Sequence, residues 1–337
     1  VHDQFDAFFE VFIDVLKRPS LTAEAVDRER QRVLEMIRSR NDRPAQRAYQ
    51  MGLKGLFGDH PYGLPLEGEE EPLRHLTAEQ LRQHYHEHYG SRSPAIAVVG
   101  KFDAARLLHR LIAAFPSVDN TSRPVPLAPQ AKALKPEGEQ PQLVVLDRSQ
   151  VQVVRTAPGL AIGDEREAEL MLLLEILGGS SGRLFQALRE ERGLTYGVSA
   201  DAVIGLRGGA IMVHFSTAPE RLNEGLVALD VAIDRFVKEG PTPAEVDRAR
   251  RYLKGVRRVT GQTAMSRCQE IVLDVVYGLG LGRSESLDKA LDAVDPEKIR
   301  DLAEQIFAKD GVHTVLLGPR PKEEPESPSV SHLDGPT

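Results

Sequence analysis

Residues 177–200 read LGGSSGRLFQALREERGLTYGVSA. Gly178 and Gly179 are placed to end one helix, and Ser180 or Ser181 to cap the next. A helix is expected over about 182–192. TYGVSADAV (195–203) and GGAIMVHFST (208–217) then read as two strands joined by a turn near Gly205 to Gly208. GGSSG resembles a phosphate loop only loosely, because it lacks the lysine and the four-residue spacing.

Working outward, QLVVLD (142–147), VQVVRTAPGL (151–160) and VHTVLLG (312–318) read as strands. Helices are expected over 165–177, 218–239 and 242–258, and again up to about 308. Upstream, Phe5, Phe8, Phe9, Phe12, Ile13 and Leu16 recur at helical spacing, so 3–17 is expected to be a helix with a buried face, ended by Pro19. Thr22 opens a second helix to about Arg40, and a third covers 43–57. Thr77 and Gln80 have capping-box spacing at the head of a helix through about His88. AIAVVGKF (95–102) reads as a strand and 103–115 as a helix. A proline-rich polar stretch marks a linker at 119–141. The expected organisation is a first domain over 1–118, that linker, a second domain over 142–318 and a disordered tail over 319–337. Helices mixed with short strands in each half argue for an α+β class, with helices packed on one face of mostly antiparallel sheets.

The chain has 337 residues, 41% hydrophobic and 28% charged, with a net charge of −7. This is an ordinary balance for a globular protein, and with no concentrated basic run it argues against nucleic acid as a partner. Cys268 is the only cysteine, which excludes an intramolecular disulfide and a cysteine metal cluster and suits core filling. No apolar run reaches the length of a membrane span. The chain begins at Val1, already inside an amphipathic pattern, and so reads as one whose true beginning lies upstream.

HYHEH (84–88) matches the inverted zinc-protease pattern, in which His84 and His88 would hold the metal and Glu87 would act on its bound water. The match falls in the last turn before Gly90. Histidines are favoured there by the helix dipole without any metal, so a solvated helix end is the expected reading.

The opening stretch resembles the C-terminal domain of the pitrilysin/insulinase (M16) peptidases. The resemblance extends back through IGDEREAELMLLLEILGG (162–179) and on through PTPAEVDRARRYLKG (241–255). VDRERQRVLEMIRSRNDRPAQRAYQ (26–50), FGDHPYGLPLEGEEEPLRHLTAEQLRQHYHEHYG (57–90) and AIAVVGKFD (95–103) resemble the later part of that family's N-terminal domain. The resemblance implies two similar α/β halves, the first incomplete at its N-terminus, around a peptide-binding chamber. It implies a zinc motif upstream of residue 1, and a late helix without metal at His84, Glu87 and His88. It also implies a zinc-binding glutamate seven residues after Glu29. Met36 stands there, and a thioether does not make an ordinary zinc site. Glu35 lies one residue short, about 100° away around the helix.

In active relatives an arginine and a tyrosine seven apart reach the substrate, and here they match Arg189 and Tyr196. The guanidinium is a fork of donors for peptide carbonyls, and the phenol can donate to the oxygen that turns negative on attack. The leading expectation is the metal-free subunit of a heterodimeric zinc endopeptidase. It would bind no cofactor itself, with zinc in a homologous partner subunit and an extended peptide as substrate. The alternatives are a self-sufficient zinc peptidase, with its motif upstream and its ligand shell closed by Glu35 or another acid, and a non-catalytic scaffold. Many bacterial relatives are exported, which inclines the compartment to the periplasm.

Overall fold

The computed structural model describes residues 4–90, 94–115, 128–134, 141–308 and 311–320. These form two compact units that do not follow chain order. One comprises the described parts of Val1–Arg40, Leu66–Leu127 and Thr260–Leu281. The other comprises those of Asn41–Pro65, Ala128–Val259 and Gly282–Thr337.

The first unit is helical. Helix α1 spans Phe5–Lys17 and α2 Ala23–Asn41, with the Thr22 hydroxyl accepting from the Ala25 amide as a cap should. Short α4 (Glu70–Arg74) precedes α5 (Ala78–Tyr85), which opens on the Thr77–Gln80 capping box. Asp103 caps α6, Ala104–Ala114, and α11 spans Ala264–Val276. Two expectations fail here. Residues 95–102 form no strand, because a strand needs a hydrogen-bonding neighbour and the described part of this unit contains no other strand. The apolar face of α1 buries Phe9 but leaves Phe8 66% exposed. Cys268, on α11, is half-buried and not a core residue.

The second unit is built on a five-stranded sheet: β1 Gln142–Val145, β2 Val151–Gly159, β3 Val198–Gly205, β4 Gly208–Thr217 and β5 His313–Gly318. Its order is β1-β5-β2-β4-β3. The β1–β5 pair is parallel and every other pair antiparallel, so the mostly antiparallel sheet and the mixed α+β class are as expected. Side chains alternate between its faces. Val153, Ile211, Val213, Phe215 and Leu316 join the principal core, which they share with α7 (Glu167–Gly178), α9 (Leu222–Glu239), α12 (Arg283–Asp292) and α13 (Pro296–Ile306). Helix α10, Pro243–Thr260, adds Val246 and Ala249.

The opposite face is also covered, contrary to the one-sided layering expected. Val154, Ala210, Met212, Val315 and Leu317 pack with Ala48, Leu56 and Phe57 of α3, Pro44–Phe57. Strands apolar on both faces require cover on both. Part of the expected linker is also tied down. The amides of Ala131 and Leu134 donate to the carbonyls of Arg207 and Leu56 at 2.7 and 2.8 Å. The disordered tail expected from residue 319 lies, beyond Arg320, outside the described residues.

Candidate functional site

Arg189 and Tyr196 lie on one segment between α7 and β3. Helix α7 stops at the glycine pair, and a Cβ on Gly178 would stand 2.4 Å from the Ala200 amide nitrogen of β3, so only glycine permits this approach. The next helix is capped by Gly182, and no serine side chain bonds to its first turn. This differs from the cap expected at Ser180 or Ser181, both of which are exposed. Regular helix α8 is short, Arg183–Phe185, and a π-helical turn over Gln186–Glu190 completes the segment, with the Glu191 amide reaching the Gln186 carbonyl at 2.9 Å.

Leu184 and Leu188, both 0% exposed, sink this helical face into the core. Arg189 therefore emerges at the surface, its guanidinium 4.8 Å from the Phe185 ring centroid. The carboxylate pairing that would make it an ordinary surface arginine does not occur among the described residues. The cation keeps its donors for an incoming group and has an aromatic face behind it.

Gly193 then takes a left-handed conformation, φ +57°. Its amide returns to the Arg189 carbonyl and that of Leu194 to the Leu188 carbonyl. Leu194 and Thr195 are buried. The Thr195 hydroxyl donates to the Gly197 carbonyl at 2.8 Å and accepts from the Gly197 amide at 3.2 Å. This local turn delays the strand: β3 begins at Val198, and Thr195 to Gly197 form a loop. Between these fixed neighbours Tyr196 is 83% exposed, and among the described residues no group takes up its hydroxyl. No hydrogen bond joins the two predicted residues; they share one anchored segment and face solvent.

Sequence reasoning missed what holds the loop. Arg221 donates from Nη1 to the Gly193 carbonyl and from Nη2 to the Arg192 carbonyl, each at 2.9 Å. The Thr217 hydroxyl donates to the Leu194 carbonyl at 2.8 Å. Neither residue stands in a motif that could have pointed to it.

The metal question concerns the helical unit. Glu29 is paired with Arg32 at 2.6 Å, and Arg32 Nη1 lies 3.2 Å from Met36 Sδ. A guanidinium thus touches both positions at which the resemblance leads carboxylates to be expected, and its charge opposes a cation there. Glu35 is exposed on another part of the helix. In HYHEH the His84 and His88 rings lie 4.4 Å apart. Their helix passes into a π-helical turn at His86–Gly90, and both rings are exposed, the solvated helix end expected. Gln83 donates to Glu87 at 2.9 Å. Among the described residues no three histidine, cysteine or acidic side chains are grouped so as to hold a metal ion.

Residues 75–253 match the family model described as the peptidase M16 inactive domain. An uncharacterised zinc protease of Streptomyces coelicolor is 32% identical over 255 residues, covering 73% of this chain and 54% of that protein. An uncharacterised zinc protease of Bacillus subtilis is 26% identical over 306 residues, covering 89% and 72%. This chain thus spans about half the length of the first relative and under three quarters of the second. The crystal structure of a peptidase M16 inactive domain from Pseudomonas fluorescens superposes with a TM-score of 0.81 at 22% identity, over 94% of this chain and 75% of that one. At that identity the likeness establishes the fold.

Proposed function

The chain belongs to the peptidase M16 family, and we propose that it acts there as a metal-free subunit that lends Arg189 and Tyr196 to a homologous zinc-bearing partner in the cleavage of extended peptides. The supporting observation is the pair of uncommitted donors, guanidinium and phenol, on a segment anchored by Leu184, Leu188 and Leu194. Arg189 would hold a substrate carbonyl with its planar fork. Tyr196 would donate its hydroxyl proton in a hydrogen bond to the carbonyl oxygen as charge builds on it. Both acts stabilise and orient the substrate. The attacking water belongs to the metal chemistry of the partner, because the Glu29–Arg32–Met36 row does not fit a zinc ion. The sequence halves 1–118 and 142–318, joined through 119–141, are part of this proposal as the two M16 domains. So is a periplasmic site of action, which cell fractionation checks. Among the described residues no helix is long and apolar enough to cross a membrane.

A second reading, a self-sufficient zinc peptidase, is favoured by the Streptomyces relative, an uncharacterised zinc protease longer than this chain. Zinc content and peptide cleavage decide between them, measured on the full-length protein alone and with the product of a neighbouring homologous gene. The proposal expects substoichiometric zinc, no cleavage alone and cleavage by the pair. One tightly bound zinc per chain with cleavage by the isolated protein establishes the second reading instead. Tyr196→Phe should lower cleavage by the pair about 10²-fold, the usual effect of deleting one oxyanion donor, while assembly persists. Unchanged cleavage refutes the role given to Tyr196.

A further inference from the structure

We propose that Thr217 and Arg221 are positioning residues for Tyr196, a reading that rests on the role given to Tyr196 above. The loop they hold has features that favour mobility. Glu191, Arg192 and Gly193 are exposed, two of its residues are glycines, and exposed loops of this composition fluctuate unless tied down.

Three consecutive carbonyls, those of Arg192, Gly193 and Leu194, are each bound by a side chain from the end of β4 or from its connection to α9. Two bonds from one planar guanidinium to neighbouring carbonyls constrain orientation as well as distance. Glu224 holds that guanidinium from its other side, accepting from Nε at 3.1 Å and Nη2 at 2.9 Å. Thr217 is the last residue of β4, is 1% exposed, and pairs with Val151 of β2. The loop is thereby indexed to the interior of the sheet immediately before Tyr196.

An oxyanion donor is effective to the extent that it is already aimed before charge develops. A tyrosine on a wandering loop would have to be ordered in each turnover. The clamp therefore acts through the aim of Tyr196, and neither Thr217 nor Arg221 needs to touch substrate.

The test uses the full-length protein assembled with its zinc-bearing partner. Arg221→Ala, Arg221→Lys, Thr217→Val and Thr217→Ser are each made with Tyr196 intact and with Tyr196→Phe. With Tyr196 intact, Arg221→Ala and Thr217→Val should lower kcat about 10-fold with a smaller change in KM, the pattern of a lost transition-state interaction. Thr217→Ser, which keeps the hydroxyl, should restore the rate. Arg221→Lys, a single point donor, should restore it in part. In the Tyr196→Phe background the same substitutions should have little further effect. Hydrogen exchange at the Gly193, Leu194 and Gly197 amides of Arg221→Ala should quicken about 10-fold.

An equal loss in both backgrounds, or unaltered exchange at those amides, overturns the proposal: the clamp is then ordinary structure. If Tyr196→Phe alone leaves cleavage unchanged, the role of Tyr196 falls and the clamp's function falls with it, whatever the exchange shows. If Arg221→Ala does not fold, the Thr217→Val and Thr217→Ser pair carries the same comparison.

Discussion

Arg183 does for one end of the functional segment what Arg221 does for the other. It opens α8 and meets Glu245 at 2.8 Å through Nε and at 2.9 Å through Nη2, while Nη2 also donates to the Gly240 carbonyl. Its guanidinium lies 5.1 Å from the Phe236 ring centroid. Glu245 also accepts from the amide and hydroxyl of Thr242 in a capping box at the start of α10. The Arg183 fork and these bonds hold the Glu245 carboxyl at about 2, against an ordinary 4.5. By linkage this is worth up to about 3 kcal/mol, reduced to roughly 1–2 kcal/mol by solvent screening at a partly exposed pair. The folded-state value lies below the unfolded one, so the stabilisation is complete above about pH 4.5 and is lost as pH falls toward 2. Denaturant melts of wild type and Glu245→Gln should therefore differ most near neutrality and converge toward pH 2. A constant difference across that range contradicts the assignment. None of this was legible in the sequence beyond Thr242 three residues before Glu245, which is capping-box spacing, because the partner of Glu245 comes from 62 residues away.

At the scale of elements, α3 is the instructive case. Its apolar residues cover one face of the sheet, but near the end of β4 the interface turns polar. His214 bonds Gln152 at 2.9 Å and lies 5.3 Å from the Tyr49 ring. The Tyr49 hydroxyl reaches Ser199 and Asp201 at 3.3 and 3.4 Å. Burial pushes the His214 pKa below its ordinary 6.5, opposed by the nearby Asp201 carboxylate. The unfolded chain then takes up a proton that the folded one resists, so stability should fall as pH drops below about 6.5. His214→Gln should flatten that limb in thermal melts, and an unaltered slope between pH 7 and 5 would rule His214 out as its source.

The helix itself was readable, since Pro44 opens it and Gly58 closes it. That it covers β2, β4 and β5 was not, because helical periodicity identifies an apolar face without naming its partner. Strand β4 was found to the residue because the apolar run AIMV, continued by Phe215 beyond His214, follows the glycine pair Gly208–Gly209. AIAVVGKF carries a similar apolar run and forms no strand, which shows the limit of a short apolar run without a neighbour. Arg189 and Tyr196 were legible through the stretch around them, whereas the clamp at Thr217 and Arg221 depends on a contact that no local pattern encodes.

Across the whole molecule, buried apolar area is divided unevenly between the two compact units. Both hydrophobic clusters consist of residues from the sheet-bearing unit. Among the described residues the only hydrophobic side chains the helical unit buries are Phe9, Val26, Leu34, Ile37, Ala78 and Leu107. It leaves Val11, Leu108 and Ile112 about 60% exposed, and encloses an open apolar cavity of about 520 Å³ against which Val15, Leu21, Val26, Val33, Leu76 and Leu81 lie. Each fully buried aliphatic side chain contributes roughly 1.5–3 kcal/mol relative to exposure, so opening the helical unit should require far less free energy than opening the other. Native-state hydrogen exchange on residues 1–337 should then show two classes of amides. Those of α1, α5, α6 and α11 should exchange through a low-energy opening with a shallow dependence on denaturant. Those of α7, β4, α9 and α13 should approach the global limit. A single cooperative class spanning α1 and β4 would mean that the two units open together, and that the distribution of core does not set the order in which this chain comes apart.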